Sequence, residues 1–282
     1  MSYQSPFEAL SDYYEHIESD YSNSDPLVAW DFLSLIENTK NIIDTIQLQS
    51  LDHLTLNELI QLVYNPTAIF SWLTNLIIAN IWKDPKFLNE LIRLKRTFSD
   101  IAPKIYSASE SVIDDLESFE SDILNTKKDI LSEWGWYLYD SKSFPSSNFN
   151  LSKRTSSKIL SILNSSWGVF LALWNWGVAP GIDVYNRVKE ETNEEIIFRV
   201  ARLSMDKLWD ERPRLSRKEL NEIKLESEDK NLIIFDEDSC TWRTMNVATR
   251  YFDTKISLFT DMYWISNDWE FKTDNFNQPV YY

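Results

Sequence analysis

Glycine is nearly missing from this chain, with four residues in 282 against the ~7% usual in proteins. That scarcity disfavours Gly-rich phosphate loops, Rossmann crossings and many-turned all-β folds, whereas helices joined by short polar connections need glycine least. A single cysteine, Cys240, excludes an intramolecular disulfide. Neither histidine is near it in sequence, so it reads as a half-buried small residue and not as a reactive thiol. The histidines, His16 and His53, are too few and too far apart for zinc-ligand spacing, and no G-x-S-x-G, Walker loop, H-E-x-x-H or EF-hand pattern occurs. No metal and no cofactor is expected. Long apolar runs are missing too: Ala68 to Trp82 and Trp167 to Val178 are the most apolar stretches, and both are shorter than the ~20 residues a spanning helix requires. The N-terminus, Met-Ser-Tyr-Gln-Ser-Pro, has neither a basic nor an apolar leader region. The expectation is a soluble, cytoplasmic protein.

Positive charge is scarce in the first third. Between Met1 and Trp82 eleven carboxylates (Glu8, Asp12, Glu15, Glu18, Asp20, Asp25, Asp31, Glu37, Asp44, Asp52, Glu58) face one base, Lys40, and account for ten of the sixteen net negative charges. Such a field steers approach toward a positively charged partner and away from anionic ones. What is present in quantity is aromatic: twelve Trp, and 14% Phe, Trp and Tyr within 43% apolar residues, a composition that folds and is unlike a disordered acidic tail.

Helix punctuation is frequent. Asp25-Pro26 and Asp84-Pro85 each offer an N-cap followed by proline at the first helical position. Capping boxes are expected at Thr55 to Glu58, Ser107 to Glu110 and Ser216 to Glu219. Leu27, Trp30, Leu33, Leu35 and Ile36 share one side of a helix, as do Phe87, Leu88, Leu91 and Leu94. Val112, Leu116, Phe119, Ile123, Ile130 and Trp134 extend a third stripe, which predicts a long helix over about 108–138. Helices are also expected over about 153–176 and 183–210, separated by Pro180-Gly181. After Lys230 the character changes: Leu232 to Phe235 reads as a strand ending in Asp236-Glu-Asp238, and Lys255 to Ile265 with Trp269 to Phe271 as a hairpin.

The expected fold is therefore mainly α, an irregular multi-helix body with a small C-terminal β hairpin or sheet element. It divides into an acidic helical region 1–140, a linker or long loop 141–150, a second helical region 151–230 and a β-containing tail 231–282, with all of these in one domain as an alternative. Trp134, Trp136, Trp167, Trp174 and Trp176 recur near helical spacing, which suits packing between helices, with an exposed aromatic patch as the alternative. The pairs Asp114/Asp115 and Glu237/Asp238 read as solvent-facing, since adjacent helical residues diverge.

Asp261, followed by Glu270-Phe-Lys272, resembles the tail of a PD-(D/E)xK nuclease site, in which an acid and a Glu-x-Lys on a neighbouring strand hold Mg²⁺ and orient water. That resemblance implies Asp261, Glu270 and Lys272 as a catalytic cluster. Net charge −16 opposes a phosphate backbone, so direct nucleic-acid binding is not expected unless Lys86, Arg93, Lys95 and Arg96, or Lys142 to Lys158, make a local basic surface. A third reading inserts Ala68 to Trp82 or Trp167 to Val178 into membranes, without flanking Lys/Arg clusters. The leading expectation is a non-enzymatic interaction protein, of inhibitor, immunity, charge-mimic or adaptor type. It presents an acidic helical surface, centred on Glu8, Asp12, Glu15, Glu18 and Asp20, to a basic protein surface.

Overall fold

The computed structural model describes residues 3–6, 9–10, 32–80, 85–126, 149–162, 167–174, 177–192, 195–202, 216–228, 231–236, 252 and 256–260. The protein is mainly helical with a small parallel sheet in its C-terminal region. It divides into two compact units, Met1–Ser146 and Ser147–Tyr282.

The first unit contains α1 (Phe32–Gln49), a 3₁₀ turn (Leu51–His53), α2 (Leu56–Asn80), α3 (Pro85–Tyr106) and α4 (Val112–Thr126). Each helix buries the stripe its sequence spells out: Leu35, Ile36 and Ile43 on α1, Phe87, Leu91 and Leu94 on α3, and Val112, Leu116, Phe119 and Ile123 on α4. Helix α1 packs on α2 and α4, and α3 packs on α2 and α4. Rings join all four helices. Trp72 of α2 stacks on Phe32 of α1 at 4.0 Å; Phe32 meets Phe119 of α4 at 6.3 Å; Phe119 meets Phe98 of α3 at 5.2 Å; Phe98 closes on Phe70 at 4.8 Å. Aromatic pairs of this kind add about 0.5–1.5 kcal/mol each beyond area burial.

The local helix signals have mixed outcomes. The Thr55–Glu58 box forms, with Thr55 N–H donating to Glu58 Oε2 at 2.7 Å and Glu58 N–H to Thr55 Oγ1 at 3.3 Å. Pro85 opens α3 as expected. Ser107 to Glu110 makes no box: Ser107 belongs to the end of α3, donating its hydroxyl to Lys104 O at 3.1 Å, and Ala108 terminates that helix with φ 43°. The reason is that α3 runs through Tyr106, so the S-x-x-E pattern falls in its C-terminal turn. Helix α4 starts at Val112, and the expected continuation to 138 lies outside the described residues beyond Thr126. The Asp25-Pro26 start and most of the 141–150 linker lie outside them as well.

The second unit holds α5 (Phe149–Ile162), β1 (Trp167–Trp174), α6 (Val178–Thr192), β2 (Ile197–Arg202), α7 (Arg217–Glu226), β3 (Asn231–Asp236) and β4 (Ile256–Thr260). Two expectations are corrected here. The apolar helix over 153–176 ends at Ile162, and Trp167–Trp174 is a strand. The helix over 183–210 gives way to β2 at Ile197. For β1 the physical reason is that a strand covered on both faces reads as a short continuous apolar run, with no alternation to set it apart from a buried helix segment; β2, interrupted by Arg199, is set by its pairing with β1 instead. The first arm of the expected hairpin contains β4, which pairs parallel to β3, in register from Leu232↔Ile256 to Asp236↔Thr260; its second arm, Trp269 to Phe271, lies outside the described residues.

The four strands lie in the order β2-β1-β3-β4 and every pair is parallel. Strands β2 and β3 thus flank β1 on opposite sides, so crossovers of one hand must place their helices on opposite faces. They do. Helix α6 packs on the face where Tyr185 meets Phe170 and Phe198 at 6.0 and 5.3 Å, while Ile223 of α7 joins Val169, Leu171, Leu173, Leu232, Ile234 and Phe252 on the other. This is a doubly wound arrangement, which the glycine count had disfavoured. Two of the four glycines suffice because they stand where the first crossover needs them. A Cβ on Gly177, just after β1, would lie 2.6 Å from Leu173 O, and one on Gly181 would lie 3.0 Å from Ala172 Cβ, where α6 settles onto the sheet. Between α7 and the sheet, buried Arg199 of β2 donates from Nε and Nη2 to Glu226 at 3.0 and 2.6 Å.

The described parts of both segments considered for membrane insertion belong to the interior of their units. Ile69, Phe70, Trp72, Leu73, Leu76 and Ile77 of α2 are buried, and Trp167–Trp174 of the second segment is a sheet strand, with Val169 to Leu173 buried. Among the described residues no helix is long and apolar enough to cross a membrane.

Candidate functional site

The N-terminal carboxylates Glu8, Asp12, Glu15, Glu18 and Asp20 lie outside the described residues, as do Asp261, Glu270 and Lys272 of the nuclease-like tail, Cys240 and His16. Of the tryptophans grouped by helical spacing, Trp167 and Trp174 sit on β1, where that spacing has no meaning, and the others are outside the description. His53 is exposed on the 3₁₀ turn. Among the described residues no cluster of His, Cys, Asp or Glu is arranged to hold a metal ion.

What the first unit does show is how its charges are used. Helix α4 carries Asp114, Asp115, Glu117, Glu120 and Asp122 and no base. Three of the five are tied to bases of other helices: Lys104 reaches Asp115 at 2.7 Å, Lys40 reaches Glu120 at 3.0 Å and Arg93 reaches Asp122 at 2.8 Å. Asp114 and Glu117 face solvent. The Asp114/Asp115 pair is thus divided, one exposed and the other bound to Lys104, which corrects the expectation that both are solvent-facing. Lys40 also holds Glu37 at 2.9 Å, and Arg93 also holds Glu90 at 3.0 Å. Burial pulls the Lys40 ammonium downward, but its hydrogen bonds to Glu37 and Glu120 outweigh this and hold it above the ordinary range. Hydrogen bonds that Arg93 donates to Asp122 and then to Glu90 raise its guanidinium in the same way.

In the second unit the described features with chemical interest are the carboxyl end of the sheet and the basic helix α5. At the former, Asp236 ends β3, buried, and its Cα would lie 3.2 Å from a Cβ on Gly177. The ends of β1 and β3 therefore meet closely. On α5, Lys153 and Arg154 are exposed and Lys158 is half-buried. Burial, and then the neighbouring Arg154 guanidinium, push the Lys158 ammonium below its ordinary range.

No protein-family model matches the chain, and comparison with curated proteins and with solved structures finds no match.

Proposed function

We propose that the chain is a non-enzymatic, soluble cytoplasmic interaction protein of inhibitor, immunity, charge-mimic or adaptor type, whose N-terminal unit presents an acidic helical surface to a basic macromolecular partner. The observation that carries this reading is the segregation of charge between the two units. Met1–Ser146 has 23 acids against 10 bases, net −13, while Ser147–Tyr282 has 21 against 18, net −3. Within the first unit, Lys40, Arg93 and Lys104 are each engaged by carboxylates, so these bases do not offset the surplus elsewhere on the surface. The surplus is greatest in residues 1–31, with seven acids and no base. A one-sign surface of this kind raises the association rate with a basic partner and loses that advantage as salt screens it.

Reversing Glu8, Asp12, Glu15 and Glu18 together is the test. Partner association, followed by surface plasmon resonance with a partner recovered from the native source, should slow chiefly in its on-rate, with thermal stability unchanged or raised. An unaltered on-rate removes the charge-led account. Mg²⁺-dependent cleavage of nucleic acid that disappears in Glu270→Ala would replace it with the nuclease reading.

A further inference from the structure

Hydrogen-bonding groups left over in the interior are concentrated on one helix. Four buried side-chain atoms of α2, Thr67 Oγ1, Ser71 Oγ, Trp72 Nε1 and Thr74 Oγ1, have no hydrogen-bond partner in the chain, a concentration that no other described element matches. Buried polar groups in folded proteins are paired with few exceptions, and each exception calls for a physical account. The usual remedy for a helical hydroxyl is the carbonyl four residues earlier, and this chain uses it repeatedly. Buried Thr39, Ser99 and Ser227 donate to Leu35 O, Lys95 O and Ile223 O at 2.7, 3.0 and 2.8 Å, and Thr45, Thr126 and Thr192 do the same nearer the surface. The hydroxyls of Thr67, Ser71 and Thr74 do not, although these residues are only 7%, 1% and 1% exposed. At Thr67 the reason is visible. The carbonyl in question is Val63 O, which already accepts the Tyr106 hydroxyl at 2.5 Å and, in the helix ladder, the Thr67 N–H.

We infer that Thr67, Ser71 and Thr74 form a binding site for buried water, with one molecule bridging each neighbouring pair of hydroxyls. Positions i, i+4 and i+7 fall on one face of a helix, so the three hydroxyls stand in a file. Neighbours in such a file have Cβ atoms about 5–6 Å apart. The hydroxyls make no bond to one another, and two O–H···O bonds of about 2.8 Å through a single oxygen span that gap. A hydroxyl donates and accepts, as water does, so the file needs no charge to hold its occupant. Internal waters take about three hydrogen bonds each, from groups that are otherwise unsatisfied. A larger organic ligand is the weaker fit, because its pockets enclose about 300 Å³ or more and are lined mainly by apolar and aromatic groups, whereas here three hydroxyls follow one another along a single helix. Pro66 stands one residue before the file and, lacking an N–H, withdraws the donor that Leu62 O would receive. The file therefore begins where the ladder of α2 is interrupted.

The inference concerns the interior of the first unit and is independent of the acidic-surface proposal. Its test has two parts, both on the full chain. A crystal structure of the unmodified chain should place water oxygens within about 3 Å of each of the three hydroxyls. Hydroxyls donating instead to the carbonyls four residues earlier, or density at the file for a molecule other than water, would overturn the inference. Thr67→Val and Thr74→Val then remove one hydroxyl each while keeping the shape of the side chain and nearly the same helix propensity. Each variant takes a partner from a bridging water. Oxygen-17 relaxation dispersion should therefore count fewer long-lived internal waters in each, and the first unit should melt about 2–4 °C lower. Thr126→Val, which removes a hydroxyl that donates to Asp122 O at 2.7 Å, should leave the water count unchanged. An equal water count in Thr67→Val and Thr74→Val, or melting at or above the parent temperature, would show a dry file and overturn the inference, because replacing an unsatisfied hydroxyl by an apolar group of the same shape is neutral or stabilising.

Discussion

The two units of this chain bury their cores by different routes. In Met1–Ser146 the described helices are specified mostly by signals within their own segments: an apolar stripe at 3.6-residue spacing with polar residues on the remaining face, a capping box before α2 and proline at the start of α3. Helix α2 departs from this, being buried nearly all round with Pro66 inside it. In Ser147–Tyr282 the central elements are strands whose hydrogen-bond partners are distant in sequence. Strand β1 bonds to β2 and to β3, so residues near 170 are completed by residues near 198 and 233. Local helix signals specify the elements of the first unit and non-local strand pairing those of the second, while ion pairs between elements occur in both. Charge follows the same division, −13 against −3.

The largest test of this contrast is truncation after Lys230. It removes β3 from the middle of the sheet and β4 from its edge, exposing one side of β1. The truncated chain should lose the folding transition of the second unit and keep a cooperative helical transition from the first, by circular dichroism. Loss of both would show that the units do not fold separately.

Next in size is Glu226→Ala. It leaves Arg199 buried beneath α7 without its carboxylate, and breaking a buried pair by removing one partner costs about 3–5 kcal/mol. Arg199 keeps the hydrogen bond from Nη1 to Phe198 O at 2.7 Å, which places the expected value near the lower end. Chemical denaturation should show the loss in the second unit's transition alone. A change below about 1 kcal/mol would mean the pair is solvated in solution.

A smaller effect, of opposite sign, is expected in the first unit at Ser50. Its φ of 111° and ψ of 168° lie in a region that is essentially reserved for glycine and costs about 1–3 kcal/mol. Ser50→Gly should stabilise that unit by about 1 kcal/mol or less, because glycine also gains freedom in the unfolded chain. A loss of stability would show that Ser50 has a role its backbone does not reveal.

The smallest effect is one of pH. The Lys40 ammonium is held above its ordinary 10.5 by Glu37 and Glu120. A folded value raised above the unfolded one means that its contribution is complete at neutral pH and is lost as pH rises from about 10.5 through the raised value. Lys40→Met should flatten that alkaline fall in the first unit and leave the second unchanged. An identical alkaline profile in the variant would count against the pairing.

Much of the first unit was legible because an amphipathic helix advertises its buried face in consecutive turns: Phe87, Leu91 and Leu94, or Leu116, Phe119 and Ile123, needed no tertiary information. The Ser107 pattern was misread because S-x-x-E has the same spelling at the end of one helix as at the start of another. The second unit was less legible. Val169 to Leu173 is apolar at every position, a pattern shared by a buried helix segment and a strand covered on both faces. A signal was there in Gly177 and Pro180-Gly181 close behind that run, spacing that suits a strand turning into a helix against its own sheet. The ion pairs of α4 left no mark in sequence, since nothing local distinguishes Asp115, which holds Lys104, from Asp114, which faces water.

By itself the sequence determined the helical majority, the places where most described helices begin or turn their apolar sides, and the excess of negative charge in the first half. These depend on propensity, capping and counting, which act over a few residues or over none. Only the tertiary structure decided that Trp167–Trp174 is a strand, that the sheet is parallel and doubly wound, and which carboxylates are spent on Lys40, Arg93 and Lys104. Each of those depends on what packs against a residue from elsewhere in the chain, and the energy of burial and pairing is set by that neighbour and not by the adjacent residue.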